Sequence, residues 1–253
     1  MKKAFNYIFM SIFFVACSVF SSPIPEKIEY EIIEVNSLED LKPNKKGNFV
    51  YSLDGLELSN LEVQKKKETF ITLLLPSIDI VNKKINRDKE IVEILSKKNK
   101  LSKKEEAVYN EIFEKYSVEN KDVNLLKKRM ITYPTPLILA QGALESGWGT
   151  SKIFQEANNL FGMHSFNPDE PRIPSHAKNV YLKKYNSIEG SVYDFVLTLS
   201  RGDSYKKLRE AVREGETPQK ISEYLSSYSQ IKERYTVEVN EVIDSNNLMR
   251  YYN

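Results

Sequence analysis

Gln141 and Glu145 stand four residues apart near the end of the run PTPLILAQGALESGWGTS, where an apolar stretch gives way to glycines. Thr135 followed by Pro136 predicts a helix start, because proline's fixed φ suits the first turn and its missing N–H costs nothing there. From Leu137 to Leu144 the chain is almost wholly apolar, so the helix should be buried on most sides. Gln141 and Glu145 would share one face and be held against a cleft. Gly147 and Gly149 would stop the helix just beyond the carboxylate. Near the negative end of the helix dipole and beside apolar surface, Glu145 would have its ionised form disfavoured and its pKa raised. That state suits a general acid near neutral pH. On spacing alone, a solvated helix-end carboxylate is the competing reading.

A reaction that needs a second acid has few candidates nearby. Between Met163 and Tyr185 the sequence is rich in proline, serine and charge and lacks a helical period, which predicts a loop or small β-lobe. Asp169 and Glu170 are its only acids, either as turn residues or as a base or nucleophile. The only two histidines, His164 and His176, have no acidic partner at ligand spacing and make a poor metal site. No metal or organic cofactor is implied. Just before this segment, Ser151 should cap a short helix ending at Asn158-Asn159. Asn159 could bond either the following turn or a sugar, and Phe161 reads first as core packing.

The elements that must position these groups are mostly helical. Glu68 to Lys128 is charged and helical, with Ser102 to Glu105 forming a capping-box signature and Val108, Ile112 and Tyr116 an apolar stripe. Ile188, Val192, Phe195, Val196 and Leu199 recur at helical spacing behind Ser187, and Thr217-Pro218 opens another helix through Ile221, Tyr224 and Leu225. A last helix from Tyr235 through Val239, Val242 and Ile243 would put Tyr235 at its exposed start. Earlier, Ile28–Val35 partly alternates like a strand, with Phe49–Leu58 a partner.

At 253 residues, 41% hydrophobic and 28% charged, the chain can bury one sizeable core. Lys+Arg total 37 and Asp+Glu 35. Setting aside Lys2 and Lys3 leaves the rest balanced, so no basic footprint points to nucleic acid. Lys2 and Lys3, the apolar run from Ala4 to Phe20 and the small residues Ser21-Ser22 read as an export signal over 1–22, too short for a membrane span. Cys17, the only cysteine, follows Phe14-Val15-Ala16 in an order that resembles a bacterial lipobox, with Phe14 where leucine is usual. Either Cys17 is lipidated, or the signal is cut after Ser18, Ser21 or Ser22. Both readings send the protein out of the cytoplasm, to the periplasm, a lipid-anchored position or the medium, with no disulfide in the mature chain.

The string AQGALESGWGTS followed by ANNLFG resembles the core motif of the glucosaminidase family of peptidoglycan hydrolases, glycoside hydrolase family 73, and its Bax-like branch in particular. The resemblance runs from about Phe70 to Leu248, through FITLLLPSIDIVNKKI, YNSIEGSVYDFVLTLSRGDSYKKLREAV and, near the C-terminus, Tyr228-Ser229 and Tyr235. It implies a mainly α (α+β) fold: a lysozyme-like helical lobe with a small β-lobe or loop lobe across a substrate groove. With the signal read over 1–22, the chain continues with an accessory segment with possible short strands (23–66) and the glucosaminidase domain that the resemblance implies (67–253). The resemblance implies Glu145 as catalytic acid and Tyr235 as a cleft residue, with Tyr228 in the matching tyrosine-serine pair; together with Gln141 and Asn159 from the reading above, these are the candidates for binding peptidoglycan glycan strands.

The expected reaction is hydrolysis of the β-1,4 bond after N-acetylglucosamine. For the second step, an inverting enzyme needs a base about 6.5–9.5 Å from Glu145, a retaining one a nucleophile at about 5–5.5 Å, and a third route uses the substrate's 2-acetamido group. A lytic transglycosylase or muramidase with the same acid, and a non-catalytic wall-binding protein, are the alternatives.

Overall fold

In a computed structural model, which describes residues 24–175, 177–227 and 232–252, the chain begins with two strands. β1 (Glu31–Val35) and β2 (Phe49–Leu53) pair in parallel, Glu31 opposite Phe49 through Val35 opposite Leu53. Val35, Phe49, Tyr51, Leu53 and Leu58 are buried in the same core cluster as the helices that follow.

α1 (Val63–Leu95) is a 33-residue rod that passes through Pro76 without ending. Its first half feeds the main core through Phe70, Leu73, Leu74 and Ile78, and its far end, Ile91, Val92 and Leu95, nucleates a second cluster. α2 (Lys103–Lys115) and α3 (Val123–Arg129) close that second cluster with Ile112, Phe113, Tyr116 and Leu126. α2 begins as expected at Ser102, with the reciprocal Ser102 and Glu105 capping box formed. Buried Asp88 of α1 takes the Lys115 ammonium at 3.0 Å and the Tyr116 hydroxyl at 3.2 Å, pinning α2 to the rod.

α4 (Thr135–Ser146) and α5 (Lys152–Ala157) follow, then three short strands: β3 (His164–Ser165), β4 (Arg172–Pro174) and β5 (Tyr181–Lys183). These form an antiparallel sheet in the order β3-β5-β4, the small lobe expected between Met163 and Tyr185. The remaining helices are α6 (Ile188–Arg201), α7 (Lys206–Glu214), α8 (Pro218–Ser222) and α9 (Lys232–Ser245). α6 lies against α1 and β2, and α9 against α4. Phe161 stacks on Phe195 of α6, centroids 3.9 Å apart and planes 10° from parallel, which makes it a core residue. The fold is thus mainly helical with two small sheets. The stretch 1–22 read as an export signal, with Cys17, together with His176 and Tyr228, lies outside the described residues.

Candidate active site

α4 starts with Pro136 in its first turn and is buried from Pro136 through Ala143, as its unbroken apolar run requires. Gly147, at φ 59°, ends it in the left-handed conformation. The turn beyond is tightly held. Trp148 and Gly149 continue with φ of 58° and 82°, and Trp148 N donates to Ala143 O at 2.8 Å. The Ser146 hydroxyl donates to Gly142 O at 2.6 Å and accepts from Gly149 N at 2.9 Å.

A tryptophan at positive φ costs about 1–2 kcal/mol, and its ring is fixed from two sides. Phe70 meets it edge-on with centroids 5.5 Å apart, and the Lys67 ammonium lies 4.9 Å from its centre. Gly149 has no room for a side chain, because an added Cβ would lie 2.9 Å from Leu58, 3.1 Å from Phe70 and 3.2 Å from Phe154.

Glu145 sits in the last turn of α4, immediately before this clamp, and is exposed to solvent. Its Oε1 accepts a hydrogen bond from the Tyr235 hydroxyl at 3.0 Å. Burial by the surrounding protein pushes its pKa up, and the Tyr235 hydrogen bond pulls part of the way back. No charged side chain among the described residues contributes to that shift. The group is therefore open on one side for a ligand and crowded on the others.

Tyr235 is buried within α9, which begins earlier than the sequence suggested, at Lys232. Its hydroxyl alone reaches the carboxylate. Gln141 does not line the groove: it is fully buried, with Tyr133 donating to its Oε1 at 2.9 Å and its own Nε2 donating to the Tyr235 hydroxyl at 3.2 Å. In a helix packed on every side, a residue one turn before Glu145 faces the core.

Asn159 is likewise buried and given wholly to backbone. Its Nδ2 donates to Met163 O at 3.0 Å and to Lys183 O at 2.9 Å, and its Oδ1 accepts from Met163 N at 2.8 Å. It bolts the β-lobe to the end of α5. Its neighbour Asn158, left-handed at φ 52°, accepts from Leu53 N at 2.8 Å and donates to Ser52 Oγ at 3.0 Å, tying β2 to the same corner. Asp169 and Glu170 lie on the turn between β3 and β4 that Asn167 organises, its Oδ1 accepting from Asp169 N at 3.0 Å.

Tyr133 is the member of this arrangement that sequence reasoning missed. It precedes the Thr-Pro helix start by two residues, and nothing in spacing marks it. The clamp on Trp148 was equally hidden, since Lys67 and Phe70 come from α1.

Residues 120–248 match the family model described as mannosyl-glycoprotein endo-beta-N-acetylglucosaminidase. Protein bax of Escherichia coli (strain K12) is 27% identical over 152 residues, 58% of this chain and 55% of that protein, so the chain spans about half the length of the curated relative it matches. Among solved structures, the catalytic domain of the autolysin Auto from Listeria monocytogenes is 26% identical, covering 66% of this chain and 95% of that one, with a TM-score of 0.40. The glycoside hydrolase domain of FlgJ from Salmonella typhimurium is 23% identical, covering 56% and 90%, with a TM-score of 0.39.

Proposed function

Because the chain belongs to the mannosyl-glycoprotein endo-beta-N-acetylglucosaminidase family and so carries a glycosidase domain, we propose that it hydrolyses peptidoglycan glycan after N-acetylglucosamine, with Glu145 as general acid. The observation that carries this reading is the carboxylate itself: solvent-open, pKa raised by burial, and held by a tyrosine at the end of a buried helix. The proton on Glu145 passes to the glycosidic oxygen as the C1–O bond breaks, and the leaving sugar departs with its new hydroxyl. Positive charge develops at C1 and the ring oxygen. Glu145 becomes a carboxylate in the same step, and the bond from Tyr235 strengthens with the charge it receives.

For the second step we favour the substrate's own acetamido group. Its carbonyl oxygen closes on C1, and water then opens the ring, giving its proton back to Glu145 and its hydroxyl to C1. The support for this route is that it needs only one protein acid, and among the described residues Glu145 has the Tyr235 hydroxyl as its one hydrogen-bond partner. On the β-lobe we favour exposed Phe166 as the aromatic face for a sugar ring, since the Tyr181 ring already carries the Arg172 guanidinium at 4.0 Å. The export signal read over residues 1–22 would put the enzyme in the envelope, where this substrate lies.

The test is mass spectrometry of soluble products from purified peptidoglycan treated with the protein or with its Glu145→Gln variant. Reducing-end N-acetylglucosamine from the parent and none from the variant is the expected result. Anhydromuramic ends would move the assignment to a lytic transglycosylase, and silence from both proteins would point to a wall-binding role.

A further inference from the structure

Behind Glu145 runs a chain of three buried side chains, Tyr133 from just before α4, Gln141 from within it and Tyr235 from 94 residues beyond Gln141. Tyr133 is 1% exposed, Gln141 0% and Tyr235 7%, so none is placed to hold substrate through its body. The hydrogen bonds run Tyr133 hydroxyl to Gln141 Oε1, Gln141 Nε2 to Tyr235 hydroxyl, and Tyr235 hydroxyl to Glu145 Oε1, at 2.9, 3.2 and 3.0 Å.

The chemistry of the four groups gives this chain one direction. An ionised carboxylate can only accept, so Tyr235 must give Glu145 its single proton. The Tyr235 oxygen can then receive one from a donor behind it. An amide nitrogen only donates and an amide oxygen only accepts, so Gln141 must turn Nε2 toward Tyr235 and Oε1 toward Tyr133. Tyr133 fixes that orientation by donating to Oε1. Were the amide reversed, its oxygen would draw the Tyr235 proton inward and leave a lone pair facing the carboxylate.

We propose that Tyr133 and Gln141 are positioning residues that commit the Tyr235 proton to Glu145 Oε1, so that the acidic proton is carried on Oε2, the oxygen free to face the glycosidic bond. Among the described residues Glu145 has no other hydrogen-bond partner, which leaves Oε2 to the substrate. The arrangement holds through the cycle. While Glu145 is protonated, Tyr235 keeps the proton off Oε1, and once the proton has left, the same hydroxyl stabilises the carboxylate.

Glu216, after α7, borders with Asn82 the same cavity of about 260 Å³ as Tyr133. Lys67 of α1 faces the Trp148 ring rather than the carboxylate.

The inference rests on Glu145 being the general acid, and the experiment separates the two. Initial rates on a soluble glycan below saturation are measured against pH for the full chain and for Tyr235→Phe, Gln141→Met, Tyr133→Phe and the Gln141→Met/Tyr235→Phe double variant. A general acid is read on the alkaline limb of kcat/KM, and loss of its donor moves that limb upward. Tyr235→Phe should move it by about one pH unit, and Gln141→Met and Tyr133→Phe by roughly half a unit to one unit each.

In the double variant, Gln141→Met should add no shift to that of Tyr235→Phe, a coupling that simple loss of packing would not produce. Tyr133→Phe removes one oxygen and keeps its ring, so it carries the test if Gln141→Met fails to fold. An active parent whose limb stays put in Tyr133→Phe and Gln141→Met, or shifts that simply add in the double variant, would overturn the positioning role alone. An inactive parent, or a Glu145→Gln variant as active as the parent, would overturn the acid assignment and this inference with it.

Discussion

Gly149→Ala should be among the most damaging single-methyl changes available to this protein, and the structure says why. The position combines a left-handed backbone, φ +82°, with three contacts that a Cβ would violate: Leu58 at 2.9 Å, Phe70 at 3.1 Å and Phe154 at 3.2 Å. Left-handed geometry costs an alanine about 1–2 kcal/mol, and forcing a methyl into a filled core typically adds about 1–3 kcal/mol. Their sum, roughly 2–5 kcal/mol, is a large part of the 5–15 kcal/mol that usually separates folded from unfolded chains.

Gly215→Ala provides the control. It shares the backbone term, φ +72°, but an added Cβ there meets nothing within 4 Å. Because both variants also restrict the unfolded chain equally, the difference between them isolates the packing term. Urea unfolding should place Gly149→Ala about 1–3 kcal/mol below Gly215→Ala with unchanged m-values. Equal midpoints for the two variants would refute the reasoning and mean that Leu58, Phe70 and Phe154 give way freely. Activity should fall with stability only at Gly149, since that residue fixes the turn directly after Glu145.

Asn159→Ala leaves Met163 N, Met163 O and Lys183 O without their side-chain partner; at about 1–3 kcal/mol for a buried group left unpaired, it should loosen the β-lobe, seen as faster amide exchange there and weaker glycan binding with Glu145 chemistry intact. Glu105 is held down to about 2, first by its hydrogen bond from Lys98 and then by the Ser102 backbone N–H. Its depressed folded pKa means that its contribution is present above the ordinary value of 4.5 and lost as pH falls toward about 2. Replacing it by glutamine should flatten the acid side of the stability profile in that window, and unchanged profiles in thermal scans would count against the cap.

The parts of the fold that depend on near neighbours were legible. Ser102 and Glu105 announce a helix start because both halves of the box lie within one turn. Gly147 announces a helix end because only its own φ is at stake. Ser151 and Thr217 work by the same local logic, their hydroxyls accepting from Phe154 N and Lys220 N, whereas Ser187 precedes α6 without a side-chain cap bond.

What depended on partners far along the chain was not legible. Gln141 and Glu145 sit at nearly the same helical phase, yet one is fully buried between the Tyr133 and Tyr235 hydroxyls and the other, one turn on, takes only the Tyr235 hydroxyl and stays exposed. Asn158 and Asn159 are favoured in turns for local reasons, but their bonds to Leu53 and Lys183 are set by tertiary geometry. The strand at Phe49–Leu53 shows little alternation because helices cover it, so its burial had no period to read.

The placement of β1 and β2 in the main core also sets the order in which this protein can fold. Leu53 waits for Asn158, 105 residues later, and Tyr30 for Glu189, 159 residues later. A chain emerging from its N-terminus therefore presents Val35, Tyr51 and the apolar side of α1 long before α6 exists to cover them. Contacts of such long sequence separation slow folding and prolong the exposure of apolar surface. Strands made well before their partners are thus among the last parts to be completed, and the clamp beside Glu145, which leans on Leu58 and Phe70, is finished with them.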